Sequence, residues 1–168
     1  LVSFAVTTGK TSEVISNDLK RAGHKLILIS PEYNENHLPK ADSLIDTFNK
    51  VTALMREGKV YSAYTPTYGG IAEALYKMAI GNGYGVKVSD SVTLKELFGY
   101  SYGSFILEVD EGVEGKLIGY VTDDALFTYK GDSVSADELE KLYENKLESV
   151  FPTLKNEKVN KIEKITFD

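Results

Sequence analysis

The residues best suited to contact a ligand lie in a short loop that leads into a helical pattern. Thr65, Thr67 and Tyr68 carry hydroxyl groups, and the pair Gly69-Gly70 follows them directly. The first N–H groups of a helix have no partner within it, and they attract phosphate. The loop therefore predicts a phosphate contact made by hydroxyl and N–H groups. A glycine pair before a helix more often serves close packing, and both interpretations stay open at this point.

The patterns needed for independent catalysis are missing from the sequence. There is no cysteine, which removes a thiolate nucleophile and thiolate metal ligands. Thr8-Gly9-Lys10-Thr11 matches only the end of a phosphate-binding loop, because Phe4 stands where that motif requires glycine. His24 and His37 are isolated histidines, which we expect at surface or turn positions. We therefore predict no catalytic residue and no metal site in this chain.

Length and composition are those of an ordinary globular domain. The 168 residues suit one domain, and the formal net charge of −6 argues against a nucleic-acid partner. No apolar run approaches the ~20 residues of a membrane-spanning helix, so we expect no membrane partner. The lack of cysteine is compatible with a cytoplasmic location. The chain begins within a strand-like pattern, and we interpret it as a piece of a longer protein.

The elements that position the loop are visible in the hydrophobic pattern. Residues 60–64 predict a strand before the loop. Ile71, Leu75 and Met78 recur at helical spacing after it. Three glycines then end this helix and lead into another strand, at positions 81, 83 and 85. The loop is thus a strand-to-helix connection.

Further elements complete the predicted domain. Strands are expected at residues 1–8, 26–30, 103–109, 116–121 and 125–129. A helix at 40–57 should bury the stripe Leu44, Phe48, Val51 and Met55, and a second helix should follow Ser135. The prediction is a single α/β domain of the α+β type, with a mixed sheet of about five or six strands and helices mainly on one face. We expect this domain to span 1–153 and a linker or tail to span 154–168.

Residues 59–88 resemble the C-terminal half-domain of the aminoimidazole ribonucleotide synthetase-like family. In that family a strand enters a loop of the type His-Asp-X-Ser-Asp-Gly-Gly, then a helix of the type Leu-Ala-Glu-Met-Ala, then Gly-X-Gly. Here the glycine pair and the helix are matched by Gly69-Gly70-Ile71-Ala72-Glu73-Ala74-Leu75 and Lys77-Met78-Ala79. The Gly-X-Gly segment after the helix is matched by Gly83-Tyr84-Gly85-Val86. The run Gly103 to Val109 also resembles the family. The resemblance covers about residues 1–153.

Within this family the chain is most similar to the glutamine-dependent phosphoribosylformylglycinamidine synthases, and there to the second of two tandem half-domains. The resemblance implies a ligase of purine biosynthesis that converts formylglycinamide ribonucleotide to its amidine. ATP or ADP with magnesium would be the cofactors of the whole enzyme. The partners of this piece would be the N-terminal half-domain and the glutaminase domain of that enzyme, with a small-molecule nucleotide as a further ligand.

The resemblance is interrupted at the loop that carries two aspartates in the family. Thr65 and Tyr68 stand at the aspartate positions of the family, and Thr67 stands at its serine position. Magnesium prefers carboxylate oxygens, so the metal ligand is missing here while a phosphate-facing hydroxyl remains at Thr67. The resemblance thus implies a structural or auxiliary nucleotide half, inactive alone, with nucleotide contacts at Thr65, Thr67, Tyr68, Gly69 and Gly70. The alternatives are the C-terminal half of a selenophosphate synthetase or hydrogenase-maturation type protein, and a non-catalytic interaction module.

Overall fold

A seven-stranded sheet forms the centre of the computed structural model, which describes residues 2–152. In chain order its strands are β1 (Lys25–Ile29), β2 (Val60–Tyr64), β3 (Gly85–Val88), β4 (Phe105–Val109), β5 (Lys116–Thr122), β6 (Leu126–Tyr129) and β7 (Asp132–Ser135). Across the sheet their order is β2-β4-β1-β5-β3-β6-β7. Neighbouring strands are antiparallel except β3 and β6, which are parallel. The predicted mixed sheet is therefore confirmed.

Four α-helices accompany the sheet in the described part of the chain. They are α1 (Ala41–Arg56), α2 (Gly70–Ile80), α3 (Leu94–Leu97) and α4 (Ala136–Asn145). Within the described residues, the chain divides into two compact units that separate after residue 136. The first contains the sheet and α1 to α3, and the second contains nearly all of α4. No helix within residues 2–152 is long and apolar enough to cross a membrane.

Two hydrophobic cores lie on the two faces of the sheet. Leu26 and Leu28 of β1 belong to the core that contains α2 and Leu97 of α3. Ile27 and Ile29 belong to the core that contains Val51 of α1. Successive side chains of a strand point to opposite faces, so α1 and α2 cover different faces of the sheet. The α/β fold is as predicted, and α2 and α3 share one face of the sheet whereas α1 covers the other.

The α1 helix is less buried than its apolar stripe predicts. Val51 is 2% exposed, but Phe48 is 44% exposed and touches Phe105 of β4 edge-on at a centroid distance of 5.7 Å. Ile45 is 56% exposed. A regular stripe shows that a helix is amphipathic, but it does not show how much of that face its own chain covers.

The strand predicted at residues 1–8 is not formed in the described part of that segment. Residues 2–10 adopt neither helix nor strand, and Val2, Phe4 and Val6 are 94%, 91% and 78% exposed. An alternating pattern gives a strand only where a neighbouring strand completes its hydrogen bonds. The predicted tail at 154–168 lies outside the described residues, and the domain boundary at 153 stays a prediction.

Candidate functional site

The loop of residues 65–69 joins β2 to α2, as the sequence predicts. Gly69 is the N-cap of α2 and Gly70 is its first residue. Thr65 and Thr67 are exposed, and Tyr68 is 96% exposed. The structure therefore brings Thr67 and the two glycines together at the helix start, whereas the side chains of Thr65 and Tyr68 are open to solvent.

The carboxylate of Glu73, one turn into α2, lies at the start of its own helix. Its Oε2 atom accepts hydrogen bonds from the Gly69 N–H at 2.7 Å and from the Thr67 hydroxyl at 3.3 Å. Its Oε1 atom pairs with Lys77 Nζ at 2.6 Å. The bond from Lys77 is the main reason that the pKa of Glu73 lies below its usual value, against the opposing effect of burial. Glu73 is therefore an anion at neutral pH.

Both glycines of the loop have a structural role. Gly70 has φ +69°, a conformation that favours glycine. A Cβ atom at this position would lie 2.9 Å from the carbonyl oxygens of Leu97 and Gly99 at the end of α3. A Cβ atom at Gly69 would lie 2.5 Å from Oε2 of Glu73. The glycine pair thus lets α2 start against α3 and lets Glu73 fold back, while the phosphate contact stays a prediction.

An open cleft of about 620 Å³ lies beside the start of α2. Ile71 lines it from α2, and the other walls come from the end of β1 and the chain after it, α3 and the start of β5. None of the five predicted binding residues belongs to its described lining. The polar lining residues are Ser30, Tyr33, His37, Lys95, Glu96, Tyr100, Ser101 and Lys116. The cleft offers hydroxyl groups, rings and charges of both signs to a small molecule.

Glu96 forms the charged part of the cleft wall and caps α3. It accepts hydrogen bonds from the N–H of Thr93 at 2.9 Å and from its hydroxyl at 3.0 Å, and it pairs with Lys116. The bond from Lys116, followed by those from Thr93, lowers the pKa of Glu96 to about 2. The positive charge of Lys116 is thereby paired with a carboxylate at the cleft wall.

We expect the Glu96→Gln variant to lose less stability in acid than the wild-type protein. The folded state lowers the pKa of Glu96 from 4.5 to about 2. Its ionised form therefore stabilises the fold above about pH 4.5, and this contribution is lost as the pH falls towards 2. The side chain of Glu96 is 41% exposed, so solvent screening should keep the difference below about 1 kcal/mol. Urea denaturation at pH 7, 4 and 2.5 measures it, and parallel pH profiles of the two proteins would contradict the prediction.

Solved structures of known proteins share the fold of this chain, whereas no protein-family model matches the sequence. PurL of Thermotoga maritima complexed with AMPPCP matches with a TM-score of 0.62 and 13% identity, over 77% of this chain and 27% of that chain. Phosphoribosylformylglycinamidine synthase II of the same organism matches with a TM-score of 0.62 and 11% identity, over 77% of this chain and 28% of that one. This chain has the aminoimidazole ribonucleotide synthetase-like fold. It spans little more than a quarter of either Thermotoga chain.

A third structure with a similar fold is that of a hydrogenase maturation protein. HypE of E. coli, a hydrogenase maturation protein, matches with a TM-score of 0.51 and 14% identity, over 73% of this chain and 51% of that chain. At these identities the likeness shows the fold alone. The predicted aminoimidazole ribonucleotide synthetase-like architecture is thereby confirmed.

A buried carboxylate on β4 forms a second cluster that the sequence did not predict. Glu108 is 0% exposed. It accepts hydrogen bonds from the N–H groups of Lys20, at 2.9 and 3.1 Å, and Arg21, at 3.0 Å, and from the Ser62 hydroxyl at 2.8 Å. His24 Nδ1 lies 2.7 Å from its Oε1 atom. Glu108 therefore fastens the chain before β1 to strands β2 and β4.

His24 follows a turn, which is one of its two predicted placements, but its side chain belongs to this cluster and does not lie at the surface. Its side chain is 11% exposed and stacks on the Tyr61 ring at a centroid distance of 4.4 Å. The Tyr61 hydroxyl donates to Asp110 at 2.7 Å, which raises the pKa of Tyr61. Among residues 2–152, no three histidine, aspartate or glutamate side chains are placed to hold a metal ion. The hydrogen bonds to Glu108 make the cluster a structural clamp, and its sequence signal is an acidic residue inside an apolar strand.

Proposed function

We propose that this chain is the second C-terminal half-domain of a glutamine-dependent phosphoribosylformylglycinamidine synthase. That enzyme would form formylglycinamidine ribonucleotide from formylglycinamide ribonucleotide, ATP and glutamine in the cytoplasm, as a step of purine biosynthesis. The fold likeness to the Thermotoga synthase carries this proposal. The motif resemblance between residues 59 and 88 supports it from the sequence.

In this proposal the chain has a structural role in the enzyme and contributes no catalytic residue. The N-terminal half-domain and the glutaminase domain of the same enzyme are its partners, and the 168-residue chain alone is inactive. Any nucleotide phosphate would contact Thr65, Thr67, Tyr68 and the N–H groups of Gly69 and Gly70. The hydroxyl and N–H groups suit a phosphate.

Magnesium does not fit the described loop. The ion prefers hard, charged oxygens, and threonine and tyrosine hydroxyls supply none. The carboxylate nearest the loop, Glu73, is already engaged by Gly69 and Lys77. We therefore assign no metal step to this chain, and a magnesium-dependent ATP site of the parent enzyme would lie outside this loop.

The complete protein that contains this chain should form the amidine from formylglycinamide ribonucleotide, ATP and glutamine. In that protein, the double substitution Thr65→Ala and Thr67→Ala should leave the turnover number within about twofold of wild type. The reason is that a half-domain with a purely structural role does not stabilise the transition state. Product formation measures turnover, and a melting curve confirms that the variant is folded.

Two results would overturn this proposal. A complete protein that forms no amidine would reject the synthase function. Loss of turnover in the double threonine variant, with an unchanged melting temperature and assembly, would reject the non-catalytic role while keeping the synthase. Because both threonine side chains are exposed, their truncation should not disturb the fold.

A hydrogenase-maturation type protein is the second candidate. The shared fold with E. coli HypE favours it, although that match has the lower TM-score. The same assay separates the candidates, because only the synthase turns over formylglycinamide ribonucleotide.

A further inference from the structure

One side of α1 is apolar, but the rest of the chain covers only part of it. Ile45 is 56% exposed and Phe48 is 44% exposed. Ala41 precedes Ile45 by four positions and Thr52 follows Phe48 by four, and both are exposed as well. Residues three or four positions apart lie side by side on a helix, so these four side chains form one continuous strip. This strip, the exposed flank of α1, is largely left open by residues 2–152.

Charged residues of opposite sign stand at the two ends of the exposed flank. Asp42 lies in the first turn of α1 and Arg56 lies in the last turn. Both side chains are exposed, and neither forms an ion pair within residues 2–152. Glu13, which lines the same shallow pocket as Arg56, pairs with Lys10 at 3.5 Å. The exposed flank therefore carries a free carboxylate at one end and a free guanidinium group at the other.

A second copy of α1 that runs in the opposite direction matches this arrangement. In a two-fold contact both copies use the same surface, and each contact between two positions occurs twice. When the centre lies between residues 48 and 49, the two Phe48 side chains meet. Ile45 then faces Thr52 of the second copy.

The charges select this antiparallel arrangement. With the same centre, Asp42 comes close to Arg56 of the second copy at both ends of the contact. A parallel arrangement would instead place carboxylate beside carboxylate, and like charges in contact disfavour association. The antiparallel pair thus puts the apolar side chains in the middle and an opposite charge beside each free charge.

We propose that the exposed flank of α1 is a docking surface for a second copy of this chain, in an antiparallel two-fold contact between the two α1 helices. A contact made by one helix from each copy lies at the small end of specific interfaces, below about 1,200 Å² of buried surface in total. The dimer is therefore weak and dissociates on dilution. This contact goes beyond the proposed synthase function and does not depend on it.

Sedimentation velocity of the 168-residue chain over a series of concentrations at low salt tests this proposal. The wild-type chain should change from monomer to dimer as its concentration rises. Asp42→Arg and Arg56→Asp should each weaken the dimer by about tenfold or more, because like charges then meet at both ends of the contact. The double variant restores opposite charges, so its dissociation constant should return to within about threefold of the wild-type value.

A mixture of the two single variants gives a second test that is specific to the two-fold contact. Asp42→Arg places two positive charges on the flank, and Arg56→Asp places two negative charges there. Each variant alone should be monomeric where the wild-type chain is dimeric. Mixed in equal amounts, they should form a heterodimer, because opposite charges then meet at both ends of the contact.

Lys50→Asp is the matched control for the change in charge. Lys50 is also exposed on α1, but it stands two positions from both Phe48 and Thr52. Residues two positions apart on a helix do not face the same way, so Lys50 lies outside the exposed flank. Its reversal should leave the dissociation constant within about threefold of wild type.

Circular dichroism checks that each variant is folded. Ile45→Arg replaces a charge variant that does not fold, and it should abolish the dimer because it puts a charge in the middle of the flank; Ile45 is more than half exposed, so the fold should tolerate the change. A wild-type chain that stays monomeric at every concentration would overturn the proposal, since something other than a second copy then covers the flank. So would a dimer that tolerates both charge reversals or Ile45→Arg. Either result leaves the synthase proposal standing, because that proposal is judged by turnover of the complete protein.

Discussion

The Glu108→Ala variant should lose about 3–5 kcal/mol of its free energy of unfolding. The substitution removes the acceptor of the Lys20 and Arg21 N–H groups and of the Ser62 hydroxyl, and it takes away the partner of His24. Each buried donor left without an acceptor costs about 1–3 kcal/mol. Domains of this size have about 5–15 kcal/mol in total, so the loss is a large share of the whole. Urea denaturation of the 168-residue chain measures it.

Two further substitutions make this prediction specific to the buried carboxylate. Glu108→Gln keeps one acceptor oxygen and should cost less than Glu108→Ala. Glu111→Ala changes an exposed glutamate in the turn after β4 and should stay within about 0.5 kcal/mol of wild type. If Glu108→Ala were as stable as Glu111→Ala, the cluster around His24 would not be the clamp described above.

The Gly70→Ala variant should lose about 3 kcal/mol of its free energy of unfolding. Part of the loss is backbone strain, because the residue has φ +69°. The larger part is steric, because the new Cβ atom would lie 2.9 Å from the carbonyl oxygens of Leu97 and Gly99. These are backbone atoms, so the start of α2 has to move away from the end of α3. Thermal and urea denaturation measure the loss.

Gly83→Ala provides the matched control for the backbone strain. Gly83 also has φ +69°, but a Cβ atom there would meet nothing within 4 Å. Its substitution should cost about 1 kcal/mol. The difference between the two variants is thus the contribution of the contact between α2 and α3. Equal losses at both positions would mean that Gly70 is kept for its backbone conformation alone.

The strand and the helix on either side of the loop were predictable because the periodicity of neighbouring apolar residues determines them. The alternation at 60–64 and the helical spacing of Ile71, Leu75 and Met78 correspond to β2 and α2. All three of these helical residues are at most 1% exposed. Val60 of β2 lies in one core and the apolar stripe of α2 lies in the other, so each element shows the pattern of its own buried face.

The contacts that involve distant residues were not predictable from such patterns. Glu108 receives its donors from residues 20–24 and from Ser62, far away in the sequence. The exposure of Phe48 depends on what packs against α1, and the spacing of the apolar residues in α1 does not show what packs there. The return of Glu73 to Gly69 was missed for another reason, since the spacing between them is not that of the usual capping box.

The order of the strands has a consequence for how this chain is made. The strands β1 and β2 do not pair with each other, but both pair with β4. During synthesis both strands therefore leave the ribosome long before their partner does, and the second neighbour of β1, β5, follows later still. Contacts between distant residues slow folding and leave apolar strands unpaired in the meantime. The apolar strand β1, with the sequence Lys-Leu-Ile-Leu-Ile, therefore stays unpaired and prone to aggregation until residues 105–109 have emerged.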